Sequence, residues 1–396
     1  MKVKSDLQNG KSLIKVDSQE ISPNFMASTL MKPNINWLII FLPISFAIAY
    51  IPYFKNEIYL FFTSCLGLII VAYWLGNATE QLAARVGSTW GGMMNAAFSN
   101  LPELIFGLIA VSKGLESLAK ATWTGAIISN MLVVVGAAIM AGGYRYGIVK
   151  FPLERAKDAA AGLMLATFAV LLPSVYAHFV AFGSDVEARQ VLEGVSIWTC
   201  LFLLMAYGGS IVYALAQFRV EITTPEWHHL DTPMPEKVQP DWSLSQSMGV
   251  LAISSLLIAF LSDFISDSID SITASLGWTQ MFVGIIVIGV IGNVGALFSA
   301  VSVALKNKMD LSFEIGLNAA SQVALLVVPV LVLSSVVMGK PVSLLFTPAE
   351  IAALLSSVLI MAQISQDGRC NWLNGLQMLI LYGIIGVLFF YDHLST

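Results

Sequence analysis

The sequence predicts an all-α membrane protein of about eleven transmembrane helices, arranged as one leading helix and two inverted five-helix repeats. Three observations predict it. The 396 residues are 57% hydrophobic and 11% charged, with a mean hydropathy of +0.78, whereas about a quarter of a soluble domain is charged. Apolar stretches recur along the chain, each long enough to cross a hydrocarbon core of about 30 Å as a helix. Landmark residues recur at matching spacings in the two halves.

Residues 1–35 are polar and basic, without a cleavage-type signal, and read as a disordered cytoplasmic arm. The leading helix occupies 36–56, its apolar span 36–52. The first repeat, 57–217, holds spans at 57–76, 91–112, 122–142, 159–181 and 191–217. A polar loop at 218–247, containing Pro225, Pro233, Pro235 and Pro240, reads as cytoplasmic. It leads into the second repeat, 248–391, with spans at 248–268, 281–305, 312–338, 347–364 and 373–390. Runs such as 127–139 are apolar almost throughout, which excludes the in-out alternation of barrel strands. Cys65, Cys200 and Cys370 lie in or beside helices and imply no disulfide framework. His228 and His229 sit in the proline-bearing loop and read as part of a solvated linker.

The repeat rests on spacing. Glu80 precedes Gly87 by seven residues, and Asp270 precedes Gly277 by seven. Ser129 follows Asn100 by 29 residues, and Gln322 follows Asn293 by 29. Two groups of five spans enter the membrane from opposite sides, an inverted repeat that in transporters places the substrate site near the midplane.

Polar groups at membrane depth are costly and so mark function. A charged side chain there costs about 2.5–3.5 kcal/mol on insertion scales. Glu103 stands in the third expected span, with Asn100 one turn before it on the same face. Pro102 donates no backbone hydrogen bond and frees carbonyls that can coordinate a cation. Glu103 is therefore the candidate metal ligand, binding cation and proton. Ser129 and Asn130 in the next span, and Asn293, Asn318, Ser321 and Gln322 in the second half, add oxygen ligands suited to a hard cation. Taken singly, each also serves as interhelical glue. Glu80 and Asp270 lie on similar amphipathic stretches, 76–88 and 263–278, expected at opposite membrane faces as gates or ion-attracting vestibule residues, or as solvated helix faces.

The chain resembles the calcium/proton exchangers of the cation/calcium exchanger superfamily. The residues that carry this are Ala78-Thr79-Glu80-Gln81-Leu82-Ala83, Gly91-Gly92-Met93-Met94-Asn95-Ala96, Asn100-Leu101-Pro102-Glu103-Leu104-Ile105 and Ile128-Ser129-Asn130 in the first half. The second half adds Phe282-Val283-Gly284-Ile285-Ile286, Gly292-Asn293, Asn307-Lys308-Met309-Asp310-Leu311, Gln322-Val323-Ala324-Leu325 and Asn371-Trp372-Leu373-Asn374-Gly375. The resemblance implies a central site built from Asn100, Glu103, Ser129, Asn130, Asn293 and Gln322, at which Glu103 takes cation and proton in turn. It departs in the second half, where Ala296 and Leu297 stand in place of the family glutamate and the histidine after it, and Asn318-Ala319-Ala320-Ser321-Gln322 in place of Gly-Ser-Ser-x-Gln.

The expected function is thus secondary cation/proton antiport, calcium for protons by resemblance. A single carboxylate also matches a monovalent cation such as sodium or potassium. A transport-inactive regulatory membrane subunit is the alternative from another class. No Gly-x-x-x-x-Gly-Lys-Ser/Thr loop occurs, so ATP-driven pumping is not supported. The expected partners are small inorganic cations, protons and the lipid bilayer, with no cofactor and no nucleic acid.

Lysine and arginine sort by side. With the N-terminus in the cytoplasm, fifteen of the twenty lie inside, and only Lys55, Lys113, Lys120, Arg189 and Lys340 lie outside. The positive-inside rule therefore predicts a multi-pass protein with a cytoplasmic N-terminus and an outward C-terminus, in the plasma membrane if the source is bacterial. A cysteine introduced at Ser245 should resist impermeant maleimide in intact cells and react after permeabilisation; labelling in intact cells would reverse the topology.

Overall fold

The computed structural model describes residues 35–86, 98–179, 185–223 and 242–391. Most of the expected N-terminal arm, most of the 218–247 loop with His228 and His229, Gly87, and the motif at 91–96 lie outside the described residues. In chain order the described helices are α1 (Ile35–Tyr50), α2 (Glu57–Val86), α3 (Leu101–Lys113), α4 (Glu116–Tyr146), α5 (Leu153–Phe179), α6 (Asp185–Thr223), α7 (Leu244–Asp267), α8 (Ile269–Leu276), α9 (Gln280–Gly292), α10 (Val294–Ala304), α11 (Met309–Val337), α12 (Pro348–Ser365) and α13 (Trp372–Tyr391). Strands β1 (Ile148–Lys150) and β2 (Arg369–Asn371) form one short antiparallel pair.

Among the described residues, eight helices are long and apolar enough to span a bilayer, and the pair α8 and α9, bent by 115°, makes a ninth candidate. The remaining expected spans are shorter or broken. The leading helix opens with a 3-10 segment, Ile35–Ile40, before ten α-helical residues. The expected span 281–305 divides at Asn293 into α9 and α10, and the span 91–112, described from residue 98, breaks at Asn100. The stretch 76–88 is not a separate element. Leu75, Ala78 and Leu82 continue the buried stripe of α2, so that helix runs unbroken past Glu80. Its expected counterpart does break, at Ser268, leaving Asp270 at the start of the short α8.

Contacts between helix ends sort into two faces. At one, the Arg85 side chain donates to the Trp242 carbonyl at 2.5 Å, and β1 pairs with β2. At the other, Lys113 pairs with Asp263 at 2.7 Å and Asp267 at 2.5 Å, and Ser271 donates to Glu57.

The centre of the bundle is α4, whose residues from Leu118 to Val135 are nearly all buried. Large apolar side chains on α6 and α13, such as Trp198, Phe202 and Ile384, are exposed and suit contact with lipid. Apolar helices gain little hydrophobic drive from meeting each other in lipid, so close backbone approach supplies the packing. Glycine permits it where α4 crosses α9. A Cβ at Gly125 would lie 2.6 Å from the Ile285 Cα, one at Gly289 2.7 Å from the Gly125 carbonyl carbon, and one at Gly284 2.9 Å from the Ala121 carbonyl carbon. The π turn Val283–Ile288 closes bonds over five residues rather than four, so Gly284 and Gly289 both meet α4.

Gly284→Ala should therefore force the two backbones apart and destabilise the fold by about 1–3 kcal/mol. Gly162→Ala on α5, where a Cβ meets nothing within 4 Å, should be neutral or stabilise by up to about 1 kcal/mol. Thermal unfolding in detergent checks the pair, and equal melting temperatures would contradict the tight crossing.

Candidate functional site

Two chain breaks at matching points create the site. Asn100 ends one helical piece with φ −100° and ψ 15°, and Asn293 ends another with φ −93° and ψ 11°. Neither is an interior helix residue, and each starts a new helix, α3 or α10. Glu103 consequently lies not mid-helix, as the sequence suggests, but in the first turn of α3 directly after Pro102. Pro fits there because the amide it lacks has no partner in a first turn, and the helix dipole favours a negative group at that end.

The two breaks are tied crosswise. The Asn100 amide donates to Gln322 Oε1 at 2.9 Å. The Asn293 amide donates to Ser129 Oγ at 2.9 Å and to the Gly289 carbonyl at 2.8 Å, which also accepts from the Ser129 hydroxyl at 2.5 Å. Each asparagine thus holds the residue 29 positions after the other. A π turn begins directly after Ser129 and another directly after Gln322, so the local backbone repeats as well.

Glu103 is 2% exposed, and among the described residues neither carboxylate oxygen has a hydrogen-bond partner. Its Oε1 lies 2.6 Å from where a Cβ on Gly292 would stand, so glycine at 292 lets the carboxylate come up against the other half of the chain. A buried carboxylate without a partner is unfavourable unless it carries a proton or meets a cation. Asn130 is fully buried beside α11, and its amide also lacks a partner among the described residues. It joins neither crosswise bond.

Gly292 and Pro102 form the inner end of a cavity of about 370 Å³. Its walls are the faces Leu75, Thr79 and Glu80 of α2, Ala296 and Ser299 of α10, and Glu314, Asn318 and Gln322 of α11. The Ser299 hydroxyl donates to Glu80 Oε1 at 2.7 Å. Asp270 does not line this cavity. It neighbours Ser271, which bonds Glu57 at the far end of α2, about 34 Å from Glu80 at 1.5 Å per residue. Ser321 lies outside the lining as well.

The sequence pattern of the sodium/calcium exchanger protein family matches residues 56–216 and 246–391. The chain belongs to that family. It is 38% identical to a Ca(2+)/H(+) antiporter of Aphanothece halophytica over 89% of this chain and 95% of that protein. It is 31% identical to the Ca(2+)/H(+) antiporter ChaA of Bacillus subtilis, over 84% and 92% of the two chains. The solved structure of native YfkE superposes with a TM-score of 0.75 at 28% identity, covering 90% of this chain and 99% of that one.

Two acidic residues of this exchanger-family chain escape a reading by hydropathy. Glu350 is as buried as Glu103, so among the described residues the two are the buried carboxylates. Its task is local: the Thr347 amide donates to Glu350 Oε2 at 2.8 Å and the Glu350 amide to Thr347 Oγ1 at 3.2 Å, a capping box at the start of α12. The signal was present in Thr347-Pro348-Ala349-Glu350. Glu314 was also missed, although it precedes Asn318 and Gln322 by four and eight residues and so shares their helical face.

The Glu103 and Gly292 contact separates function from stability. In Gly292→Ala the new methyl meets the movable end of a side chain, so stability should change by less than about 1 kcal/mol while cation affinity falls about tenfold as the carboxylate is displaced. Melting temperature and Ca2+ binding to the purified protein, read together, test this; unchanged binding would mean that the carboxylate need not lie against residue 292.

Proposed function

We propose that this chain exchanges Ca2+ for H+ across a membrane, with Glu103 as the group that carries cation and proton in turn. The observation that carries the reading is the Glu103 carboxylate, buried at a helix break and without a described partner. The Ca(2+)/H(+) antiporters similar along nearly the whole chain support the ion pair exchanged. The protein is a secondary transporter rather than an enzyme.

Exchange follows from the cost of an empty site. A bare carboxylate in a poorly solvated interior is strongly unfavourable, whereas a protonated one, or one against a cation, is not. Rearrangement that carries the site between the two faces then proceeds with one occupant or the other and not with neither, which couples the two fluxes. Asn100, Ser129, Asn130, Asn293 and Gln322 supply neutral oxygens around it, as a hard cation requires.

The same proposal takes the chain as eleven crossings: the leading helix at 36–56, then repeats at 57–217 and 248–391 of opposite orientation joined by a cytoplasmic loop at 218–247. Two separate family matches, the paired breaks at Asn100 and Asn293, and the crosswise bonds support it. The N-terminus is cytoplasmic in this reading, which puts the face carrying Arg85 inside. Glu80 then lies in an inward vestibule, and Asp270 at the outward face.

One observation favours a monovalent substrate. By repeat symmetry the partner of Glu103 is Ala296, so one carboxylate, not two, faces the ion. Flux in proteoliposomes under an imposed pH gradient, with Ca2+, Na+ and K+ compared, decides among the readings. Calcium flux that collapses the gradient is expected. Glu103→Gln should abolish it in well-folded protein, since a unit charge ~4 Å away is worth roughly 4 kcal/mol at an effective dielectric of ~20, about a thousandfold in affinity. Sodium or potassium flux without calcium flux would select the monovalent reading, and no flux of any ion the inactive subunit.

A further inference from the structure

Glu314 raises the question of where a second negative charge stands. Helices α10 and α11 are an antiparallel pair, and the Ser312 hydroxyl donates to the Ala300 carbonyl at 2.8 Å, which sets their register. With residue 312 level with 300, residue 314 lies level with Ser299, within about one 5.4 Å turn. Ser299 in turn donates to Glu80. Glu80, Ser299 and Glu314 therefore form one tier of the cavity wall, joined by Asn318 one turn deeper.

The inner tier is separate. Gln322, which holds Asn100 beside Glu103, follows Glu314 by eight residues, about 12 Å along the helix axis. Both tiers belong to one cavity of about 370 Å³, and the buried carboxylate of Glu103 abuts Gly292 at its inner end. An ion on its way to Glu103 through this cavity meets Glu80 and Glu314 on its wall.

We propose that Glu80 and Glu314 form a second, outer cation site, with the Ser299 hydroxyl and the Asn318 amide oxygen as neutral ligands, and that it selects divalent ions before they reach Glu103. Two carboxylates neutralise a divalent cation, and affinity for Ca2+ rises with the number of charged ligands. The charge missing at Ala296 is in this way present on the same cavity wall, displaced toward its mouth. This rests on the exchange reading for its purpose, and on the cavity alone for its ligand.

Equilibrium binding of Ca2+ to the purified full-length protein tests it independently of transport. Glu103→Gln removes the inner carboxylate and should retain one calcium site. Adding Glu314→Gln, or Glu80→Gln if that combination does not fold, should weaken the remaining site by about tenfold or more, whereas adding Glu314→Asp should hold it within about threefold. Loss of all binding in Glu103→Gln alone, or the same isotherm with and without Glu314→Gln, would overturn the outer site. Wild-type protein that binds calcium through Glu314 yet shows no pH-driven flux would remove the exchange reading and leave the site standing.

Discussion

The crosswise pair of hydrogen bonds, Asn100 to Gln322 and Asn293 to Ser129, is the constraint on which the rest of the centre depends. A helix broken inside a membrane leaves backbone groups that lipid cannot satisfy, so a break survives only where protein or water covers it. Here each break is covered by the opposite half of the chain, through a side chain that both reaches across and fixes the angle of the next helix. Neither break can be rebuilt alone. Moving α3 disturbs Gln322 on α11, and moving α10 disturbs Ser129 on α4. Their mutual dependence is also what holds Glu103 in a first turn, where a carboxylate has the helix dipole in its favour and the face of Gly292 against it.

Glycine contributes in two physically different ways. At Gly125, Gly284 and Gly289 a side chain would meet backbone, which cannot yield without separating helices; these positions set the distance between α4 and α9. At Gly292 a side chain would meet only the end of Glu103, which can yield. The first kind determines whether the bundle closes, and the second where one carboxylate sits. Conservation of volume in the first and of position in the second are separate requirements on one short helix, and the π turn Val283–Ile288 is what lets α9 meet both, by turning Gly284 and Gly289 toward α4 and leaving Gly292 at the cavity.

Much of this was legible in the sequence because polar residues are conspicuous against an apolar background. Asn100, Glu103, Ser129, Asn293 and Gln322 stood out by chemistry, and the equal spacing of 29 residues marked the repeat without saying that the partners cross between the halves. The breaks were less legible. Pro102 gave a cue for the first, but nothing as direct as a proline marks Asn293, and a continuous apolar run reads as one span whether or not it bends. The end of α2 was misplaced for a related reason: the hydropathy drop after residue 76 looks like a helix end, although the buried stripe continues through Leu82. Glu350 and Glu314 were lost because a window average treats a carboxylate near a span end as solvated, while capping and helical phase decide each one individually.

The separation of charge into tiers has a consequence for how one chain can handle both a divalent ion and protons. Two carboxylates at one buried point repel each other when empty and favour a shared proton. Set on two tiers, as Glu103 and Glu314 are, with Gln322 and Glu314 about 12 Å apart along α11, they interact much less. Coulomb energy falls with distance, and water in a cavity of this size screens what remains. The outer pair can then attract cations while the inner group takes cation and proton in turn. A site that has lost one inner carboxylate need not lose divalent selectivity; it moves the step that selects the ion away from the step that exchanges it.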